Sequence, residues 1–331
     1  MSALIQYSDT GNFRRDARRP QELPSQNFCF DQIHVDIARN STDDFNPFHD
    51  PQRWRRIARN PFQSTIALGF QIEFLVADWV SAHRRTNGED VIIERNRLHY
   101  SNYEFRFANA LLAAERFKIE IKNTIDKSNS GGGISNRVAV RRCDDRGLVL
   151  IGTQSETAVP RFLAEETGDA LRALQFLSSN SVTSTGDYFS KRKFLNTSNG
   201  KNFALGSLCN QHDYFDELAE RVYFAPLFTA SLLSSALLAK GWEQNYDFEA
   251  DPLVYTNHQI SVDNRLQRQL RSNDMLQILV QGPLPASSSK GLSQTSVEQK
   301  LYRCFGVVEG NKILFRANVQ LAPLHSFIPS D

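Results

Sequence analysis

Residues 66–82 read Ile-Ala-Leu-Gly-Phe-Gln-Ile-Glu-Phe-Leu-Val-Ala-Asp-Trp-Val-Ser-Ala. At helical spacing, Ile66, Leu68, Phe70, Ile72, Phe74, Leu75, Val76, Trp79 and Val80 fall on nearly every face. A helix apolar almost all round has to be enclosed. Glu73 and Asp78 interrupt that surface and need a polar edge or a partner. Strand-like segments able to enclose it follow. Residues 97–108 carry Tyr100, Tyr103, Phe105 and Phe107, and Phe117, Ile119 and Ile121 alternate with Lys118 and Glu120. Residues 134–142 and 148–159 form a hairpin around Asp144-Asp145-Arg146-Gly147,. Such a sheet and such a helix bury each other's apolar surface.

The second half repeats this order. A helix is expected over 226–241, with Leu227, Phe228, Leu232, Leu233, Leu237 and Leu238, and Gly241 as its stop,. Strands are expected at 258–262 and 275–280, then a polar excursion over 283–294. A last hairpin pairs 297–308 with 312–321. Both terminal hairpins carry a Cys late in the first arm and a Gly in the turn. The chain therefore divides into an N-terminal arm over 1–24, a first unit over 25–180 and a second over 181–331. The fold class is α+β: two antiparallel sheets, each wrapped around a central helix, paired edge to edge so that open edges are covered. Smaller elements are expected as a strand within 28–35, a short helix over 52–58 and a helix over 215–221.

A formal net charge of +1 gives the whole chain little pull on nucleic acid or membrane,; neither is expected as a partner. The basic cluster Arg14-Arg15 and Arg18-Arg19 reads as part of a solvated arm. The four cysteines are far apart and form no Cys-x-x-Cys pair, which argues against a zinc ribbon,. No metal or cofactor is expected. Gly131-Gly132-Gly133 lacks the Lys-Ser/Thr pair of a phosphate loop. With no secretory signal and no apolar run near 20 residues, a cytoplasmic location is expected. The 23 Phe residues suit a protein that packs around, or binds, apolar material.

Chemistry-bearing residues concentrate ahead of the apolar helix, in Asp43-Asp44-Phe45-Asn46-Pro47-Phe48-His49-Asp50. Pro47 keeps Asn46 out of helical dihedrals, so the segment bends. The bend fixes the directions of a carboxylate and an imidazole. On the residues alone, a turn former and two helix caps suit them as well as a catalytic pair does.

Asp44-Phe45-Asn46-Pro47-Phe48-His49 resembles the Asp-x-Asn-Pro-x-His motif of the MaoC-like enoyl hydratases and dehydratases. The following Ile66-Ala67-Leu68-Gly69 resembles the Ile-Ala-His-Gly that opens their central helix. The resemblance covers about Ile33 to Val80. It implies a hot-dog fold, here a double one, with a second half that shapes the acyl tunnel. It implies hydration of trans-2-enoyl thioesters, or the reverse dehydration, with Asp44 and His49 acting on water and on C2. An imidazole, titrating at about pH 6.5, is the better proton shuttle. Backbone N–H groups at Gly69 and Phe70 would hold the thioester oxygen. Asn46, Pro47 and Asp50 would support the loop, and Phe48, Ile66 and Phe74 would line the acyl pocket. The partner implied is an acyl-CoA or acyl-carrier thioester, and a homodimer is compatible with the fold. Asp43 stands where the family has Gly, and Leu68 where it has His.

Arg53, Arg55 and Arg56 suit CoA phosphates or plain surface. His212 and Asp213 read as caps, and His258 as structural. Two other functions remain open. A thioesterase would use a carboxylate on the central helix, for which Glu73 is the candidate. A non-catalytic acyl-binding protein would need no acid–base pair.

Overall fold

A computed structural model describes residues 27–174, 182–185, 187–285 and 299–328. The arm over 1–24, the expected boundary at 180 and most of the 283–294 excursion lie outside the described residues.

The first half holds β1 (Phe28–Cys29), α1 (Gln32–Thr42), α2 (Gly69–Thr86), α3 (Asp90–Arg95), β2 (Tyr100–Phe107), β3 (Arg116–Ile121), β4 (Ile125–Lys127), β5 (Gly133–Arg142), β6 (Leu148–Thr157) and α4 (Thr167–Leu174). The second holds β7 (Val182–Thr185), β8 (Tyr188–Phe194), α5 (Thr197–Gly206), β9 (Phe215–Asp216), β10 (Arg221–Val222), α6 (Pro226–Ser231), α7 (Leu233–Glu243), β11 (Leu253–Asp263), α8 (Asn264–Gln267), β12 (Met275–Pro285), β13 (Lys300–Val308) and β14 (Lys312–Pro323).

All but β9 and β10 belong to one 12-stranded sheet, ordered β1, β3, β5, β6, β2, β11, β14, β13, β12, β8, β7, with β4 added to β5. The halves join edge to edge where β2 pairs antiparallel with β11, His258 opposite Phe105 and Ile260 opposite Tyr103. Outward from that seam the order is β2, β6, β5, β3, β1 on one side and β11, β14, β13, β12, β8 on the other. The expected duplication is thus visible in the topology, and two would-be edge strands are paired. The chain has the double hot-dog fold.

The enclosed helix is α2, with Phe70, Ile72, Phe74, Leu75, Val76 and Val80 buried. It starts at Gly69 rather than Ile66, because Ile66 bridges to Leu112 and Ala67 donates to Leu111 O. It runs on to Thr86. The Arg84 side chain is buried on Asn136, Glu156 and the Gln154 carbonyl. The second half's helix is broken at Leu232. Thr229, Ser231 and Ser235 each turn a hydroxyl back onto the carbonyl three residues earlier, which competes with the helical ladder.

Three smaller expectations change. The strand within 28–35 stops at Cys29, since Asp31 accepts the first-turn N–H groups of α1 and Val35 is buried on that helix. Residues 52–58 form only a 3₁₀ turn at Trp54–Arg56. Residues 215–221 form the β9–β10 ladder around a 3₁₀ turn, not a helix. Seven residues make few helical bonds for the nucleation they cost, and burial of Phe215 against Phe224 decides otherwise. Between the halves, α1 crosses α5 at Gly206, where a Cβ would stand 2.9 Å from Ala38 N and His34 O.

Candidate functional site

The 43–50 loop is built from its own polar groups. α1 ends at Asp43 in the left-handed region, φ 54°. A glycine suits such a position best, and Asp is among the few side chains that tolerate it; here Lys193 of β8 also pairs with the Asp43 carboxylate. Asp44 N–H closes back on Arg39 O at 2.9 Å. Asp44 Oδ1 accepts the Asn46 N–H at 3.1 Å, and Asn46 Oδ1 accepts the Phe48 N–H at 3.1 Å. Pro47 opens a 3₁₀ turn to His49. The next carboxylate, Asp50, accepts from Arg39 at 2.9 Å and from the Gln52 N–H at 2.8 Å. Burial would raise its pKa, but these bonds and the Arg39 charge outweigh it and hold the carboxyl below its ordinary value. Asp50 is a structural anion, not a free base.

His49 is fixed from the other side of the loop. Its Nδ1 lies 2.8 Å from the Ile66 carbonyl, an acceptor, so Nδ1 carries a proton,. In the neutral ring, Nε2 then bears the lone pair. Asp44 and His49 are 6% and 5% exposed. Among the described residues neither Asp44 Oδ2 nor His49 Nε2 has a hydrogen-bond partner.

Ile66, which holds His49, lies just before α2. The Leu68 N–H is capped by Gln71 Oε1 at 3.3 Å, and Gln71 Nε2 donates to Gly206 O at 2.6 Å. The N–H groups of Gly69 and Phe70 donate to no described acceptor. These two donors stand at the positive end of the helix, where an anion or a polarised oxygen is favoured. The side of Gly69 where a side chain would project is occupied: a Cβ there would meet Phe107 Cζ at 2.9 Å.

The pocket expected around Phe48, Ile66 and Phe74 is packed with side chains. Phe48 and Ile66 sit in a satellite cluster with Trp54, Ile57, Phe62, Val254 and Leu324. Phe74 meets Phe203 at 5.3 Å and Tyr214 at 5.5 Å. Arg53 pairs with Glu249, and Arg55 lies over the Trp54 ring, 4.4 Å from its centroid. His212 lies in a 3₁₀ turn capped by Asn210, with Asp213 at its end.

Tyr255 and Ser234 carry no sequence signal, yet both come to this site from the second half. Tyr255 OH is 3.0 Å from Ser234 Oγ. The Tyr255 ring packs beside Phe70, Phe107 and His258. Burial, followed by the negative charge of Asp44, pushes the Tyr255 phenol pKa well up. His258 is placed with Glu73: Nδ1 lies 2.8 Å from Oε1, and both side chains are fully buried. Burial raises the Glu73 pKa, opposed by the charge and hydrogen bond of His258. Among the described residues no group of three or more His, Cys, Asp or Glu is arranged to hold a metal ion, and no helix is long and apolar enough to cross a membrane.

No protein-family model matches the sequence, and no curated protein matches it. Solved structures do match in shape. A MaoC-like dehydratase superposes with a TM-score of 0.51 at 12% identity, over 89% of this chain and 95% of its own. A conserved hypothetical protein with a double hot-dog fold from Mycobacterium tuberculosis gives 0.53 at 9%, over 91% and 94%. A MaoC domain protein dehydratase from Chloroflexus aurantiacus gives 0.52 at 8%, over 90% and 93%. Identities this low carry the fold and nothing of the chemistry.

Proposed function

We propose that this chain hydrates trans-2-enoyl thioesters, or runs the reverse dehydration of 3-hydroxyacyl thioesters, with Asp44 and His49 as the working pair. The observation that carries the reading is that Asp44 Oδ2 and His49 Nε2 have no hydrogen-bond partner among the described residues, on a loop where Asp44 Oδ1, Asn46 Oδ1, His49 Nδ1 and Asp50 are engaged. That loop is tied through Ile66 to a helix start where the Gly69 and Phe70 N–H groups have no acceptor among the described residues. The likeness in shape to proteins described as dehydratases supports it at the level of fold.

In the hydration direction, Asp44 orients a water and His49 Nε2 takes one of its protons. The hydroxide oxygen bonds to C3, and the π electrons move through C2 onto the thioester oxygen. The N–H groups of Gly69 and Phe70 stabilise that oxygen. The imidazolium then gives its proton to C2, so one water is added and His49 returns to its starting state. Acyl-CoA and acyl-carrier thioesters are the substrate class.

The test is the purified protein with crotonyl-CoA and a longer enoyl-CoA, followed by loss of the conjugated enoyl absorbance. Asp44→Asn and His49→Ala are each expected to slow hydration by about 10²–10⁴-fold. Rates unchanged by both substitutions would overturn the assignment. A second reading, acyl binding without turnover, is favoured by the Phe107 ring over Gly69; binding of enoyl-CoA with no hydration would select it.

A further inference from the structure

A basin of about 870 Å³ opens on the outer face of the first half's sheet, the face turned away from α2. Strand alternation builds it. Tyr103, Phe105, Val138 and Val140 point inward and are buried, so their neighbours point out. Two rungs of the ladder cross this outer face. One runs Arg106, Ile151, Ala139, Glu120 over β2, β6, β5 and β3. The next runs Glu104, Thr153, Arg137, and ends at Lys122, whose N–H donates to Arg137 O. The short side chains Ile151, Thr153 and Ala139 make a floor. Glu104 and Arg106 flank it on one side, and Arg137, Arg141, Lys122 and Glu120 on the other.

Four cations thus line the basin against two carboxylates, in a chain whose formal net charge is only +1. Both carboxylates are engaged, Glu120 with Arg141 at 3.6 Å and Glu104 with the Gln259 amide at 3.2 Å. The exposed side chains of Arg106, Arg137 and Lys122 have no hydrogen-bond or ion-pair partner among the described residues. Cations gathered without counter-charge repel one another and attract an anion.

Size and spacing narrow the anion. The volume falls within the roughly 300–1,000 Å³ of small-molecule sites. The two rungs cover about 14 by 7 Å, well short of the roughly 800 Å² that each partner gives a stable protein interface. Guanidinium forks match phosphate oxygens two at a time. Arg106 and Arg137 stand on opposite flanks, two strands and one step apart, about 12 Å between Cα atoms. A molecule with a phosphate at each end meets both flanks. Its body would lie on Ile151 and against Ile125, which are 45% and 44% exposed.

We propose that this basin is a binding site for a nucleoside bisphosphate, held by Arg106 on one flank and by Arg137 and Lys122 on the other. It lies on the opposite face of the sheet from Asp44 and His49, and it stands whether or not the chain turns over thioesters.

The test is calorimetric titration of the full chain with adenosine 3′,5′-bisphosphate, AMP and adenosine at physiological salt. The bisphosphate is expected to bind, AMP about tenfold more weakly, the scale of one lost charge-assisted contact, and adenosine not measurably. Arg106→Gln and Arg137→Gln each change an exposed side chain and are each expected to weaken the bisphosphate about tenfold. Arg95→Gln removes the same charge from exposed α3, outside the basin, and is expected to change affinity less than about twofold because salt screens distant charges. Ile151→Asp puts a carboxylate on the floor and is expected to abolish binding. No binding of the bisphosphate overturns the proposal. So does AMP binding as tightly as the bisphosphate, or a loss in Arg95→Gln equal to that in Arg106→Gln and Arg137→Gln, which would leave only the overall charge.

Discussion

The Glu73–His258 contact makes a sharp prediction about stability. Both side chains are fully buried, and Phe70, Phe107 and Tyr255 pack around the His258 ring. Glu73→Ala removes the partner of Nδ1 and leaves an imidazole with both nitrogens unpaired in a dry core. Breaking a buried pair this way costs about 3–5 kcal/mol. Glu73→Gln retains an acceptor 2.8 Å from Nδ1, so its cost is expected to stay below about 1.5 kcal/mol, the scale of one altered hydrogen bond. The double variant Glu73→Leu/His258→Leu removes both polar groups and is expected to be neutral, or more stable by about 1–4 kcal/mol. Urea unfolding at pH 7, with slopes compared among the variants, gives the three values. If Glu73→Ala costs under about 1 kcal/mol, water reaches the pair and the dry-core reasoning is wrong. If the double variant is as damaged as Glu73→Ala, the pair itself is needed for folding.

Other outcomes follow from single contacts. Gly69→Ala places a methyl 2.9 Å from Phe107 Cζ; the ring gives way at a cost of about 1–3 kcal/mol, and tighter binding of acyl-CoA analogues in the same variant would show that the ring was the obstacle. Arg84→Met strands Glu156, which is 5% exposed and also holds Ser101, and is expected to destabilise by about 3–5 kcal/mol in urea. Asp43→Gly relieves the left-handed backbone but loses the Lys193 pair, so a net change within about 1 kcal/mol is expected. Asp50 has a lowered pKa in the folded state. Its contribution is therefore present above the ordinary carboxylate pKa of 3.8 and lost as pH falls through the lower folded value,. In Arg39→Gln the folded pKa moves back up, so the acid-dependent loss is expected to be smaller and to be complete at a higher pH, which unfolding measured between about pH 5 and 2 checks,.

Much of the architecture was legible because it follows from local pattern. The apolar girth of α2 demanded enclosure, and the alternation in β3 and the turn residues of the β5–β6 hairpin named what would enclose it. The second half's element order disclosed the duplication although its letters differ. The shape of the 43–50 loop was also local, since Asn46 and Pro47 bend it whatever lies around them. Local reasoning failed where burial outweighed propensity. Phe215 is drawn into a ladder by Phe224, and hydroxyls bonded back to carbonyls break the second helix.

The sequence by itself determined a helix that cannot face water, strands to cover it, and a bent loop bearing Asp44 and His49. Only the tertiary structure decided what stands beside that loop. Tyr255, Ser234 and His258 are distant in sequence from Asp44 and Glu73, and nothing in their own neighbourhoods marks them. They arrive because β2 and β11 share a seam, and that pairing brings the second half's side chains over the first half's helix. Hydrogen bonds along one segment are short-range and leave a pattern in the letters. A contact across a seam depends on how two separately patterned halves dock, which no single stretch of chain records.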